Sequence, residues 1–334
     1  MITQYETTDL TPRLAERKIA RDFQERRHVA WDEIYSLYRN KVKTNRLTQR
    51  QAVNIPLLKE TVKTLLSRVD DPPNVDWQEK SGDEMKEIIY QEMWDDRFKK
   101  DKFELKDILD KKYVMLYGLS TKMLNLTDDG VCVDVLDPYD VVFDPTTNPL
   151  DINSARFIIR QNIFRSLRQI LADNRYTKEG KDSLKTWSLG DFGIIQSNQN
   201  RDEWIKKMER IKNMGVSSSD FPSFAGGDMV VQLCEHYYLK WNGKKFEKRV
   251  CVYAEESVVL MDETLKDLIG IEQWPFVVWS EDTQLNDIYA DGIGDLVLTP
   301  NKIINIWFSQ QAENRTLQNF QMHWYDSTLQ GYKP

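Results

Sequence analysis

The stretch Trp274-Pro-Phe-Val-Val-Trp279, followed by the acidic, glycine-broken residues Ser280 to Asp295 and then by Thr299-Pro-Asn-Lys-Ile-Ile-Asn305, decides how this chain is read. A short apolar strand gives way to a turn carrying Asp282, Asp287, Asp291, Gly292 and Gly294, and the turn to a long helix. Thr299 is expected to cap that helix and Pro300 to be its first residue, where a missing N–H costs nothing. Ile303, Ile304, Ile306, Trp307 and Phe308 form an apolar first half, and Leu317, Phe320 and Met322 a second patch. Around them sit Asn301, Asn305, Gln310, Gln311, Asn314, Gln318, Asn319 and Gln321. Side-chain amides donate and accept hydrogen bonds without carrying charge. Such a helix can pair with identical neighbours, line a wet channel without gripping an anion, or present a plain polar face to solvent.

The 334 residues suffice for one large domain or two to three ordinary ones, and 40% hydrophobic residues with ten Trp give ample core. No apolar run approaches membrane-spanning length. Met1-Ile-Thr-Gln-Tyr-Glu6 does not open a signal peptide, so a cytosolic protein is expected. Cys132, Cys234 and Cys251 are odd in number and lack C-x-x-C spacing, which predicts buried, reduced thiols. The net charge of −7 matters for partners. Tight binding of nucleic acid over a whole surface needs a lysine and arginine surplus, and this chain has none.

Helices come first. Thr11-Pro12 opens one that carries Leu14, Ile19, Phe23, Trp31, Ile34, Leu37 and Tyr38 at near-helical intervals. Six of the fifteen residues from Arg13 to Arg27 are basic, a face for nucleic acid or simply a solvated one. Asn54-Ile-Pro56 starts a second helix, which Asp70-Asp-Pro-Pro73 stops. Ser81 to Tyr117 reads as one long helical region, with Met85, Ile88, Ile89 and Met93 among its apolar contacts and Gly118 at its end.

Period two then takes over. Leu119–Leu126 and Val131–Leu136 flank Asp128-Asp-Gly130 as a hairpin, and Ala155–Phe164 is a further strand before a short helix, Ser166–Ala172. Residues 174–228 read as an elaboration, with an exposed helix over 201–214 and a flexible loop over 215–228. Val230–Trp241, Lys245–Tyr253 and Ser257–Met261 form a meander turned at Asn242-Gly243, and Pro275–Trp279 is expected to join the same sheet. The class is α+β: a helical region 1–118, a split antiparallel sheet over 119–280, and an acidic loop with a long helix over 281–334.

Catalytic signatures are missing. His28, His236 and His323 lie far apart, and no phosphate-binding, dinucleotide or serine-hydrolase motif occurs. Asp137, Asp140 and Asp144 are the best candidates for a hard cation. Asp-Pro pairs are also ordinary turn openers, and that reading is preferred. Asp287, Asp291 and Asp295 form a weaker cluster of the same kind. No cofactor, metal or catalytic residue is assigned, and the protein is read as not an enzyme.

The order of parts carries a resemblance. Val135-Leu-Asp-Pro-Tyr-Asp-Val-Val-Phe-Asp-Pro145 with Ala155-Arg-Phe-Ile-Ile-Arg160 resembles a passage in the portal (head–tail connector) proteins of tailed double-stranded DNA bacteriophages. Trp274–Trp279, Gly292-Ile-Gly-Asp-Leu296 and Thr299–Asn305 are similar to that family's passage from wing sheet to first stem helix. The resemblance runs from about residue 50 to 325 and rests on the order of parts, not on one motif. It implies a homo-oligomeric, dodecameric ring at a unique capsid vertex of the virion, assembled in the host cytoplasm. DNA would pass through it without sequence specificity during packaging and ejection. Its implied partners are the major capsid protein and scaffold, the terminase large subunit and a tail adaptor protein. Asn301, Asn305, Gln311, Asn314 and Arg315 become candidate tunnel or subunit-interface residues, and 174–228 a candidate outer wing.

The family continues past this helix into a clip, a second stem helix and often a crown, whereas here the chain stops at Gly331-Tyr-Lys-Pro334. A fragment of a longer product and a shorter relative are both compatible with that. Two rivals stand beside the portal reading: an adaptor or neck ring subunit, and a metal-dependent nuclease built on Asp137–Asp144.

Overall fold

The computed structural model describes residues 9–40, 53–69, 75–78, 84–127, 130–186, 230–283 and 287–319. The expected helix 201–214, the loop 215–228 and His323 lie outside the described residues. The class is α+β, as the periodicities predict.

Helix α1 (Thr11–Tyr38) starts where expected but is capped differently. Thr11 is already helical, and the side chain of Asp9 accepts from its amide at 3.0 Å. After α2 (Leu57–Val69) the long helical region divides into α3 (Glu84–Lys100) and α4 (Phe103–Tyr117). The break falls at Lys102, whose φ is +51°. Asp101 beside it accepts from the backbone amide of Val133, which ties the corner to the neighbouring strand. No residue of α3 is buried, so Met85, Ile88, Ile89 and Met93 are not core contacts as the periodicity suggested. Gly118 ends α4 in the left-handed region, its amide returning to Val114.

Two antiparallel sheets follow. The hairpin β1 (Ser120–Thr127) and β2 (Gly130–Leu136) closes at Thr127 opposite Gly130. Strands β3 (Val141–Phe143), β4 (Phe157–Ser166), β5 (Val230–Trp241), β6 (Phe246–Ala254) and β7 (Val258–Thr264) make a five-stranded sheet in chain order. Between β4 and β5 lie α5 (Leu167–Ala172), opened by a capping box from Ser166 and Gln169, and α6 (Lys178–Lys185). A short helix, α7 (Leu265–Ile269), follows β7.

Strand β8 (Phe276–Trp279) corrects the sequence reading. It pairs with β1, Met123 opposite Phe276 and Ser120 opposite Trp279, and so completes a three-stranded sheet rather than the meander. Its Trp279 indole donates to Asp110 Oδ2 at 2.7 Å, and Lys122 of β1 reaches the same buried carboxylate at 2.7 Å. A charge inside α4 thus selects the strand's neighbour.

The first half of α1 covers one face of the five-stranded sheet, with Leu14 and Ala20 against Val142, Phe157, Ile159, Cys251 and Tyr253. Its second half turns into the main core, where Trp31, Ile34 and Leu37 meet α2, α4 and the other face of that sheet. The basic run of α1 is largely consumed here. Arg17, 4% exposed, pairs with Glu256 at 2.7 Å, and the Arg13 guanidinium stacks 3.5 Å from the Tyr238 ring centroid.

The last helix, α8 (Ile293–Asn319), meets α4 backbone to backbone at its start, beside the side chains of Ile293 and Val297 that pack into the main core. A Cβ on Gly118 would lie 2.1 Å from the Ala290 carbonyl oxygen, one on Gly292 2.6 Å from the Gly118 nitrogen, and one on Gly294 2.3 Å from the Leu116 oxygen. These glycines do not mark a floppy loop. They allow the amino end of α8 to lie on the carboxyl end of α4, an arrangement that the helix dipoles favour.

Gly294→Ala tests this directly. At an ordinary helical site the change stabilises by about 1 kcal/mol; here it is expected to destabilise by about 2 kcal/mol or more through overpacking, read as a lower urea midpoint.

Candidate assembly face on the C-terminal helix

Helix α8 begins at Ile293, not at Pro300. The glycine contact sets the start, and Asp295 Oδ2 accepts from the Gly292 amide at 3.0 Å. Arg27 of α1 fastens this corner. It donates to Asp291 Oδ1 and Asp295 Oδ2, each at 2.9 Å, and to the Ala290 carbonyl at 3.3 Å. The aspartates that the sequence offered as a weak cation site hold a guanidinium of the same chain. Asp287 caps the Tyr289 amide at 2.8 Å. Thr299 and Pro300 sit within the helix, which does without the one backbone bond that a proline at this position cannot donate.

Ile293, Val297 and Leu298 in its first turns pack against the main core, but from Asn301 to Ser309 the helix is inverted relative to an ordinary amphipathic one. Its buried side carries Asn301, Asn305 and Ser309, at 0%, 8% and 4% exposure. Asn305 Oδ1 accepts from the Ile55 amide at 2.8 Å, and Ser309 Oγ accepts from the Val53 amide at 3.0 Å while donating to the Asn305 carbonyl at 2.7 Å. The segment leading into α2 is thereby laid along α8 by two amides that would otherwise lack partners. The Asn301 side chain lies in the same seam with no hydrogen-bond partner among the described residues.

Most of the large apolar residues of this stretch face outward. Leu296, Ile303, Ile306, Trp307 and Phe308 are 73%, 43%, 46%, 63% and 49% exposed. Leu296, Ile303 and Trp307, at spacings of seven and four, share one side of the helix, and Gln310 and Asn314 continue the same line. Contiguous exposed apolar residues of this kind mark contact surfaces on soluble proteins.

The five candidate residues therefore divide. Asn301 and Asn305 are turned into their own chain, and Asn305 is engaged there, so neither faces a tunnel or a neighbour in this fold. Gln311, Asn314 and Arg315 are exposed, around a shallow cleft of about 650 Å³ that Phe308 and Val53 also line. The sequence marks Ile303, Ile306 and Trp307 as the apolar first half of the helix without saying which way they face; they face outward. The spacing of Asn301, Asn305 and Ser309 by four is the signal that could have revealed this orientation.

The other candidate chemistry is structural. Asp137 caps the Tyr139 amide at 3.1 Å, and Asp140 accepts from Asn162 at 3.1 Å. Asp144, fully buried, takes a bidentate pair from Arg156 at 2.6 and 2.8 Å and also binds Thr146. Among the described residues no group of three or more His, Cys, Asp or Glu is placed to hold a metal ion. His28 bonds Gln24 at 3.1 Å and stacks on Tyr139. His236 is wholly buried, its Nε2 3.0 Å from Glu16 Oε2. Cys234 and Cys251 are buried free thiols as expected, whereas Cys132 is half-buried. No helix among the described residues is long and apolar enough to cross a membrane.

Burial pushes the Asp144 carboxyl up, but the Arg156 guanidinium and Thr146 outweigh it and hold it below the usual carboxylate range. A carboxylate depressed on folding contributes its full stability above the unfolded value of about 3.9 and loses it as pH falls through the folded value. Arg156→Gln is expected to flatten this acid limb below about pH 4 in a pH series of urea midpoints. Asn305→Ala, which strips the Ile55 amide of its acceptor, is expected to cost about 1–2 kcal/mol by the same measurement.

No protein-family model and no characterised protein matches this chain.

Proposed function

We propose that the chain is the protomer of a ring: a structural portal subunit of the kind found at one capsid vertex of tailed bacteriophages. The observation that supports it most is the inverted C-terminal helix. A free protomer gains nothing from exposing Ile303, Ile306 and Trp307 to water, whereas a closed ring of identical neighbours covers such a ridge on every copy. The order of parts, helices first, then two antiparallel sheets, then a long helix, supports it as well.

In this reading DNA moves along an axial tunnel without sequence readout. A net charge of −7 suits that passage, because a cationic stripe would grip phosphates and slow sliding. Gln311, Asn314 and Arg315 remain the polar groups available to the tunnel or to the adjoining copy. The capsid protein with its scaffold, the terminase large subunit and the tail adaptor are the proposed partners, at a vertex of the virion. A neck or adaptor ring subunit would use the same ridge. The nuclease reading loses ground, because Asp137, Asp140 and Asp144 are each engaged in turns and ion pairs.

Electron microscopy and native mass spectrometry of the protein, with capsid and scaffold proteins present, test the proposal. The expected result is a dodecameric ring with an axial hole. Ile306→Glu combined with Trp307→Glu is expected to abolish the ring and leave the protomer's stability within about 0.5 kcal/mol of the parent. A strictly monomeric protein under those conditions would sink the reading.

A further inference from the structure

Strand β4 contains one residue too many. Arg160 stands opposite Glu235 and Ile163 opposite Leu233, so three steps along β4 match two along β5. The bulge places Asn162 at φ +58°, a conformation that asparagine tolerates better than most residues. Side chains alternate along a strand, so Arg160 and Arg165, five apart, would face opposite ways on a regular one. The extra residue brings both to the same face, and bulges commonly re-aim side chains in this manner.

A buried network holds the bulge in place. Asn162 Nδ2 donates to Asp140 at 3.1 Å and its Oδ1 accepts from Gln232 Nε2 at 2.9 Å, while Gln161 Nε2 donates to the Tyr139 carbonyl at 3.2 Å. Asn162, Gln161 and Gln232 are all buried. An alternation-breaking bulge with three buried polar side chains is a costly way to build a plain sheet. What it achieves is the alignment of two arginines.

Both arginines line a cleft of about 660 Å³ between the two sheets, with Asn125 and Asp134 on the hairpin side and Glu235 and Asp173 beside them. The nearby carboxylates are largely engaged elsewhere. Asp173 binds Arg175 at 2.6 and 3.0 Å, a contact that holds its carboxyl below the usual range, and reaches Arg165 only at 3.4 Å. Glu235 accepts from the Tyr237 hydroxyl at 3.2 Å and reaches Arg160 only at 3.4 Å. Asp134 takes the Asn125 amide and lies 3.6 Å from Lys106. Charge-assisted bonds run at about 2.7–2.9 Å, so each guanidinium is only loosely paired and retains most of its five donors.

We propose that this cleft is a ligand site for an oxyanion of the phosphate class, held between Arg160 and Arg165 with room for a nucleotide. The planar fork of a guanidinium matches two phosphate oxygens at once, and the volume is that of an ordinary small-molecule site. The site is built from the two sheets and the turn after α5 and shares no lining residue with the α8 ridge.

Titration calorimetry of the full chain with ADP and with inorganic phosphate, at matched ionic strength, tests it. Saturable binding is expected, with ADP the tighter ligand if a nucleotide is the natural occupant and equal affinities if phosphate itself is. Arg165→Gln should weaken binding about tenfold or more. Glu235→Gln removes the competing charge at Arg160 but keeps an acceptor for Tyr237, and should tighten binding several-fold. These opposite shifts separate a ligand role from a structural one, and the second carries the test should the first variant fail to fold. Absence of saturable binding, binding indifferent to both substitutions, or saturation by short duplex DNA alone would overturn the proposal. None of these outcomes bears on the ring, which is read from a mass.

Discussion

The fold depends on one place where backbones touch. Gly118, at the end of α4, and Gly292 and Gly294, at the start of α8, bring two helix termini together so closely that no side chain fits between them. Arg27 reaches in from α1 to bind Asp291, Asp295 and the Ala290 carbonyl at the same point. Three stretches far apart along the chain are thereby fixed relative to one another. The aromatic group around Trp31, with Tyr117, Tyr139 and Tyr289, packs beside this corner and fills the space the close approach leaves. Backbone contact tolerates little adjustment, because neither partner can rotate away as a side chain can.

From that corner the rest of α8 has its orientation imposed. With Gly294 against α4, the side of the helix carrying Asn301, Asn305 and Ser309 must face α2 and the segment leading into it. An apolar side there would leave the amides of Val53 and Ile55 without acceptors, a cost comparable to that of losing the hydrogen bonds outright. From Asn301 to Ser309, polar residues are therefore buried and most apolar ones displayed. The outward ridge is a consequence of the inner seam, and an assembly that covers it would turn a liability of the protomer into the contact that joins copies.

The two sheets divide other tasks. The five-stranded sheet is packed on both faces, by α1 on one side and by the main core on the other, so its strands are rigid supports. Its irregularity in β4, at Asn162, is anchored by side chains from β5 and from the turn before β3. The smaller sheet meets it through Met123 and Phe276, whose ring lies 4.8 Å from that of Tyr237, with a polar cleft beside this contact, and β8 is held there by Asp110 inside α4. A strand of four residues has little pairing strength of its own, so a buried carboxylate with two donors can decide which edge it joins.

Much of this molecule is written locally. The hairpins at Gly130 and Asn242-Gly243, the capping box at Ser166, the stop at Gly118 and the α+β class follow from turn chemistry, caps and periodicity, which depend on neighbours a few residues away. The turn roles of Asp137 and Asp144 were legible for the same reason. What the sequence alone could not decide was always a matter of distant partners. Whether Asn305 faces inward depends on an amide 250 residues earlier in the chain, and whether Gly294 marks a loop or a docked helix depends on a carbonyl of α4. The edge that β8 joins and the face that Arg165 shares with Arg160 are set by Asp110 and by the register of β5. Local rules determine which elements form; only tertiary contact determines which face of each is covered, because burial belongs to the pair and not to the element.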